Sequence, residues 1–127
     1  MKYLIDSSAW IEYLNGSEKG EQINEILEQE NEIFVLPLNI AEVVSFMKRN
    51  KSNSELAYNS IIKNSKISQI TPKIAKEAGL LHADLKKQNS GFGLVDAFMI
   101  TAAQNFLCKL VTTDNHFKGF KEVVLIK

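Results

Sequence analysis

The sequence predicts an α/β fold built on a parallel sheet covered on both faces, and three observations carry that prediction. Five short apolar stretches alternate with segments of helical periodicity along the chain. None of the five shows the regular in/out alternation of a sheet with one wet face, which is the mark of strands buried on both sides. The first stretch, Tyr3-Leu4-Ile5, rises out of the N-terminus and stops at the carboxylate of Asp6. A helical pattern at Trp10, Ile11 and Leu14 follows it directly. In open α/β sheets the carboxyl ends of the strands are where ligands sit, so Asp6 is a charge delivered to that edge.

The elements follow in order. Asn15-Gly16-Ser17 makes a turn, and Ile23, Ile26 and Leu27 are the apolar side of a short, Glu-rich helix between Glu18 and Glu30. Ile33 to Leu36 is a strand ended by Pro37, and Asn39 opens a helix through Val43, Val44 and Met47. That helix closes near Lys48-Arg49-Asn50-Lys51. Asn53 or Ser54 starts the next, with Leu56, Ile61 and Ile62 as its apolar side. Ile67 to Ile70 is a brief strand, and Thr71-Pro72 begins a long helix because proline suits the first helical position. Its apolar residues Ile74, Ala78, Leu81 and Leu85 recur at helical spacing. Ser90-Gly91-Phe92-Gly93 is a flexible break before a helix from Leu94 to Phe106. Lys109 to Thr113 is a strand ending at Asp114, and Val123 to Ile126 is the last.

At 127 residues the chain is expected to form one domain, residues 1–127, with a substantial core. A composition of 45% hydrophobic and 24% charged residues is that of an ordinary soluble globular protein. No apolar run approaches the roughly 20 residues of a membrane span. Asp6 and Glu12 interrupt the N-terminus too early for a signal peptide, and the single cysteine, Cys108, excludes an internal disulfide. Both fit a cytoplasmic protein. A net charge of zero argues against indiscriminate coating of nucleic acid. The charges divide, however: up to Met47 there are two lysines against nine acids, and from Lys48 onward thirteen Lys or Arg against six. One positive face could result, although a solvated Glu-rich helix explains the acidic part equally well.

Four acids stand out, and each has an ordinary explanation. Asp6 can cap the helix that follows it, a role Ser7 and Ser8 would fill as well. Glu42 lies three residues after Asn39 and resembles the Glu of a capping box. Asp114 can cap a turn before Asn115. Asp96 is harder to explain away. Its helix is apolar on nearly every side and should be buried, and the helix dipole favours an anion in the first turn by only about 0.3–1 kcal/mol. Burying an unpaired carboxylate costs several times that. No Lys or Arg occurs between Lys87 and Lys109, so a cation must come from elsewhere. Singly these explanations suffice; jointly they leave unexplained why strand ends and helix starts bring carboxylates to one sheet edge. Oxygen donors without a Cys/His cluster suit Mg²⁺ or Mn²⁺ rather than zinc. Such ions support phosphodiester hydrolysis.

Four segments in order, Leu4-Ile5-Asp6-Ser7-Ser8, Ile40-Ala41-Glu42-Val43, Leu94-Val95-Asp96-Ala97 and Val111-Thr112-Thr113-Asp114-Asn115-His116-Phe117, resemble the PIN-domain ribonucleases over the whole chain. The resemblance implies a three-layer α/β/α fold with a five-stranded parallel sheet of order 3-2-1-4-5. It also implies that Asp6, Glu42, Asp96 and Asp114 bind Mg²⁺ or Mn²⁺ and that the chain cuts RNA as a metal-dependent endoribonuclease. Thr112 matches a hydroxyl position that supports the last acid, and Ser8 and His116 are further supporting candidates. A single-domain chain of this kind is similar to the toxin halves of VapBC toxin–antitoxin pairs. That likeness implies an antitoxin partner and a homodimer. A free-standing PIN nuclease of RNA processing is the alternative within the class.

A receiver-like signalling module is the rival outside it, but the third strand is followed by Thr71-Pro72-Lys73, with no phosphorylatable Asp. A haloacid-dehalogenase phosphatase would want Asp where Ser8 stands. A binding protein with structural acids is a third reading, separable by metal titration. Among the remaining residues, His116 is ordinarily exposed at such a position, and Phe98, Phe106 and Phe117 read as core. Trp10 is expected to pack or meet a partner, and Cys108 to be a buried filler. Lys48, Arg49 and Lys51 either touch phosphates or complement a helix dipole.

Overall fold

The structure, a computed structural model, describes residues 1–127. Its strands are β1 (Lys2–Ile5), β2 (Glu32–Val35), β3 (Lys66–Ile67), β4 (Lys109–Thr112) and β5 (Val123–Leu125). Its helices are α1 (Ser7–Leu14), α2 (Glu18–Glu28), α3 (Pro37–Arg49), α4 (Ser54–Asn64), α5 (Pro72–Lys86) and α6 (Leu94–Phe106), with a 3-10 turn at Asn115–Phe117. All the strands are parallel, in the order β3-β2-β1-β4-β5. This is the order the family resemblance implies, and it puts the N-terminal strand at the centre. Leu4 pairs with Phe34 on one side and Leu110 on the other.

Neighbouring residues of each strand enter different cores, which is why no strand shows alternation. Leu4 and Leu110 face the layer of α5 and α6, packing with Ala97, Ile100 and Ala103. Ile5 and Val111 face the layer of α1 to α4, packing with Trp10, Val43 and Ile61. The three-layer architecture follows directly. On the second face α2 comes down on α1 so closely that a Cβ at Gly20 would lie 2.2 Å from the Glu12 carbonyl oxygen. Only glycine permits that approach.

Several expected details differ. β3 covers Lys66–Ile67 rather than Ile67–Ile70, because this edge strand pairs only with Phe34 and Val35. Ile67 is half exposed, and Ile70 packs on the core from outside the ladder. α3 begins at Pro37, not Asn39: proline takes the first helical position, and the Asn39 side chain reaches back to accept the Leu36 N–H at 3.2 Å. The inner side of α4 is Ala57 and Ile61, while Leu56 and Ile62 are exposed. The break before α6 is pinned, because Phe92 is buried and stacks on Phe120 and edge-on to Phe117. Cys108 is buried, as expected, and burial pushes its thiol pKa up. Trp10 is fully buried and packs edge-on to Tyr13, yet its indole N–H meets no acceptor. No helix is long and apolar enough to cross a membrane.

Candidate active site

The carboxyl ends of β1 and β4 meet at Asp6, whose backbone N–H donates to the Val111 carbonyl at 2.9 Å. Asp6 stands at the N-cap of α1, but its side chain accepts no capping bond from that helix. Its Oδ2 instead accepts from the hydroxyls of Ser8 and Thr112, each at 2.9 Å. Both hydroxyls are held in turn, Ser8 Oγ accepting the Thr113 N–H at 3.1 Å and Thr112 Oγ1 the Asp114 N–H at 3.0 Å. Thr112 therefore gives its proton to Asp6 and holds the last acid through that acid's backbone N–H, so one hydroxyl links the two strand ends. Asp6 is buried, and burial pushes its pKa up to about 6, against the pull of the Ser8 and Thr112 bonds. The Glu42 charge adds to the rise.

Glu42 reaches the same place from α3. It is not part of a capping box, because α3 starts two residues earlier than its sequence pattern indicates. Its Oε1 accepts from Ser7 Oγ at 2.6 Å, and Ser7 Oγ accepts from Asn39 Nδ2 at 3.0 Å. Asn39 is wholly buried, so a polar chain from the core sets the direction in which Ser7 donates. Neither Ser7 nor Asn39 was a candidate beyond a capping role. The available signal was a serine directly after the strand-end aspartate.

Asp96 comes from the first turn of α6 and is half-buried rather than enclosed. Its Oδ2 accepts the Gly93 N–H at 2.8 Å. Burial raises its pKa and the Asp114 charge raises it further, opposed by the Gly93 N–H and by His116 and His82. Asp114 caps the 3-10 turn, as its ordinary explanation holds. Its Oδ1 accepts the His116 N–H at 2.9 Å and faces His116 Nδ1 at 3.1 Å. The His116 ring is half exposed beside Gly91.

All four acids, with Ser7 and Ser8, line one open cleft of about 280 Å³ at the carboxyl edge of the sheet. Ile11, Phe46 and Val95 form its apolar wall, and Arg49 is its only cationic side chain. No three of its acids stand close enough together, as the side chains lie, to hold a metal ion. The chemistry of the donor set nevertheless fits a hard divalent cation. Every donor is an oxygen, and each carboxylate keeps one oxygen that no side chain engages. Burial first, and the neighbouring carboxylate second, raise the pKa values of Asp6 and Asp96, and a bound cation would favour the charged form of both.

Solved structures of similar fold include a toxin–antitoxin complex from Klebsiella pneumoniae, 23% identical with a TM-score of 0.78 over 98% of each chain. VapBC2 from Rickettsia felis, bound to a DNA fragment from its promoter, is 18% identical with a TM-score of 0.77, over 98% of this chain and 97% of that one. VapC20 from Mycobacterium tuberculosis, a sarcin–ricin loop cleaving toxin, is 13% identical with a TM-score of 0.73, over 95% of this chain and 98% of that one. Comparison with curated protein sequences gives no match. The sequence model of the PIN domain matches residues 3–123, and the chain belongs to the PIN-domain family.

Proposed function

We propose that this chain is a divalent-metal-dependent endoribonuclease and the toxin of a toxin–antitoxin pair. The observation that carries the reading is the convergence of Asp6, Glu42, Asp96 and Asp114, from four separate elements, on one cleft. Asp6, Asp96 and Asp114 would hold Mg²⁺ or Mn²⁺, with Glu42 as a further ligand or as support for one. When bound, such an ion lowers the pKa of water and polarises a phosphoryl oxygen. The residues of the chain orient the reactants around it. Ser8 and Thr112 fix the Asp6 carboxylate through one oxygen, leaving the other free of side-chain bonds. Ser7 fixes Glu42 through a bond set from the core by Asn39.

The toxin reading is supported by the toxin–antitoxin complexes among proteins of the same fold. With it come a cognate antitoxin as partner, a homodimer as the working form, and the cytoplasm as its place. Incubation of bulk cellular RNA with the protein and Mn²⁺ or Mg²⁺ should give discrete fragments, lost on chelation and in Asp6→Asn. Cleavage retained by that variant would end the reading. Growth arrest on expression, relieved by co-expression of a small adjacent gene, separates a toxin from a processing nuclease.

A further inference from the structure

The one cation of the cleft is not placed as an ion-pair partner. Arg49 stands in the last turn of α3 and lines the cleft with the four carboxylates. The close contacts between basic side chains and carboxylates are Lys66–Glu32, Lys73–Glu77 and His116–Asp114, and none involves Arg49. Its contacts come from its own helix instead. Arg49 Nε donates to Ser45 Oγ at 3.3 Å, and the guanidinium carbon lies 6.0 Å from the centroid of the Phe46 ring. Both partners lie within one turn of it, so α3 itself positions the charged group. With Nε engaged, the two terminal nitrogens, Nη1 and Nη2, have no acceptor in the protein.

A charge that serves only the helix dipole has no need to line the cleft, and Lys48 already supplies one at the same helix end. The electrostatics of the cleft supply the reason for a second. Four carboxylates repel a phosphodiester, and one divalent ion with one guanidinium still carries less positive charge than they carry negative. An exposed cation lining the cleft, as Arg49 is, is therefore worth more to an incoming anion than the same charge elsewhere on the surface. A guanidinium with two free terminal nitrogens matches two phosphate oxygens at once. We propose that Arg49, held by Ser45 and Phe46, grips a backbone phosphate of the RNA beside the bond that is cut. The proposal rests on the nuclease reading and adds to it a substrate-binding residue that the four acids do not include.

The test is fluorescence anisotropy with a labelled random-sequence single-stranded RNA, in Ca²⁺ and across a salt titration, alongside cleavage kinetics in Mn²⁺. Arg49→Ala should weaken binding about tenfold, as for loss of a charge-assisted bond, and lower the salt slope by about 1. It should raise KM with little change in kcat, the pattern of a contact made equally in ground and transition states. Arg49→Lys should restore the slope but not the full affinity, because lysine lacks the fork. Lys48→Ala, one residue away and outside the cleft, should stay within about twofold of wild type. Arg49→Ala with unchanged affinity and KM in a chain that cuts RNA overturns this inference alone. A Lys48→Ala loss as large as that of Arg49→Ala also overturns it. A wild-type chain that neither binds nor cuts RNA overturns the nuclease reading, and this inference with it.

Discussion

Replacing Asp6 by asparagine removes a charge that the fold confines, and the pKa of Asp6 sets the size of the effect. Its carboxyl rises from 3.8 to about 6 on folding, chiefly by burial. The sign follows from linkage. A raised folded-state pKa means that the protonated form is preferred in the native state, so the favourable contribution is present at low pH and is lost as pH rises through 6. Integrating over that window gives a penalty of about 3 kcal/mol at pH 7, roughly half of that at pH 5 and close to zero at pH 3. Asparagine is neutral throughout and its carbonyl can accept from both Ser8 and Thr112, since both bonds fall on Oδ2. Asp6→Asn should therefore stabilise the protein in chelator by about 1–3 kcal/mol at pH 7. The difference should shrink steadily toward pH 3. Urea denaturation of both proteins at three pH values measures it. A variant less stable at pH 7, or a difference that does not change with pH, would refute the reasoning.

Asp96→Asn keeps an acceptor for the Gly93 N–H and removes repulsion with Asp114, so its thermal midpoint in chelator should equal or exceed that of wild type. A large drop would show that the charge itself holds the start of α6. Gly20→Ala sets a helix-propensity gain of about 1 kcal/mol against a collision with backbone that no side-chain rotation relieves. The collision should win, with a net loss of about 1–3 kcal/mol in urea denaturation.

The acids were legible in the sequence because each ends or begins an element, and their apolar neighbours make that position plain. Leu4-Ile5 before Asp6, and Leu110-Val111-Thr112 two positions before Asp114, are buried strand residues whose carboxyl ends could be located without coordinates, although β4 stops one residue short of the expected Thr113. The extent of β3 is not legible, because an edge strand needs only two paired residues and the apolar run around Ile67 and Ile70 says nothing about where pairing stops. The start of α3 is masked in the sequence by Asn39, a typical cap residue, whereas the geometry is set two residues earlier by Pro37. That shift also disguised Glu42, whose partner Ser7 lies 35 residues away and cannot be read from local pattern. Arg49 gave only the signal of a basic helix end; its place in the cleft depends on how α3 crosses the sheet edge. The apolar pattern of α6 overstates the enclosure of Asp96, because the helix exposes Leu94 at its entrance.

The account stands on one claim, that carboxylates remote in the chain act together on a divalent cation at the carboxyl edge of the sheet. Titration of Mn²⁺ into the protein, followed by the electron paramagnetic resonance signal of the free ion, tests it without reference to any RNA. Wild type should deplete that signal, and Asp6→Asn, Asp96→Asn and Asp114→Asn should each weaken the depletion. Binding left intact in all three variants, or no binding by the wild type, would contradict the claim.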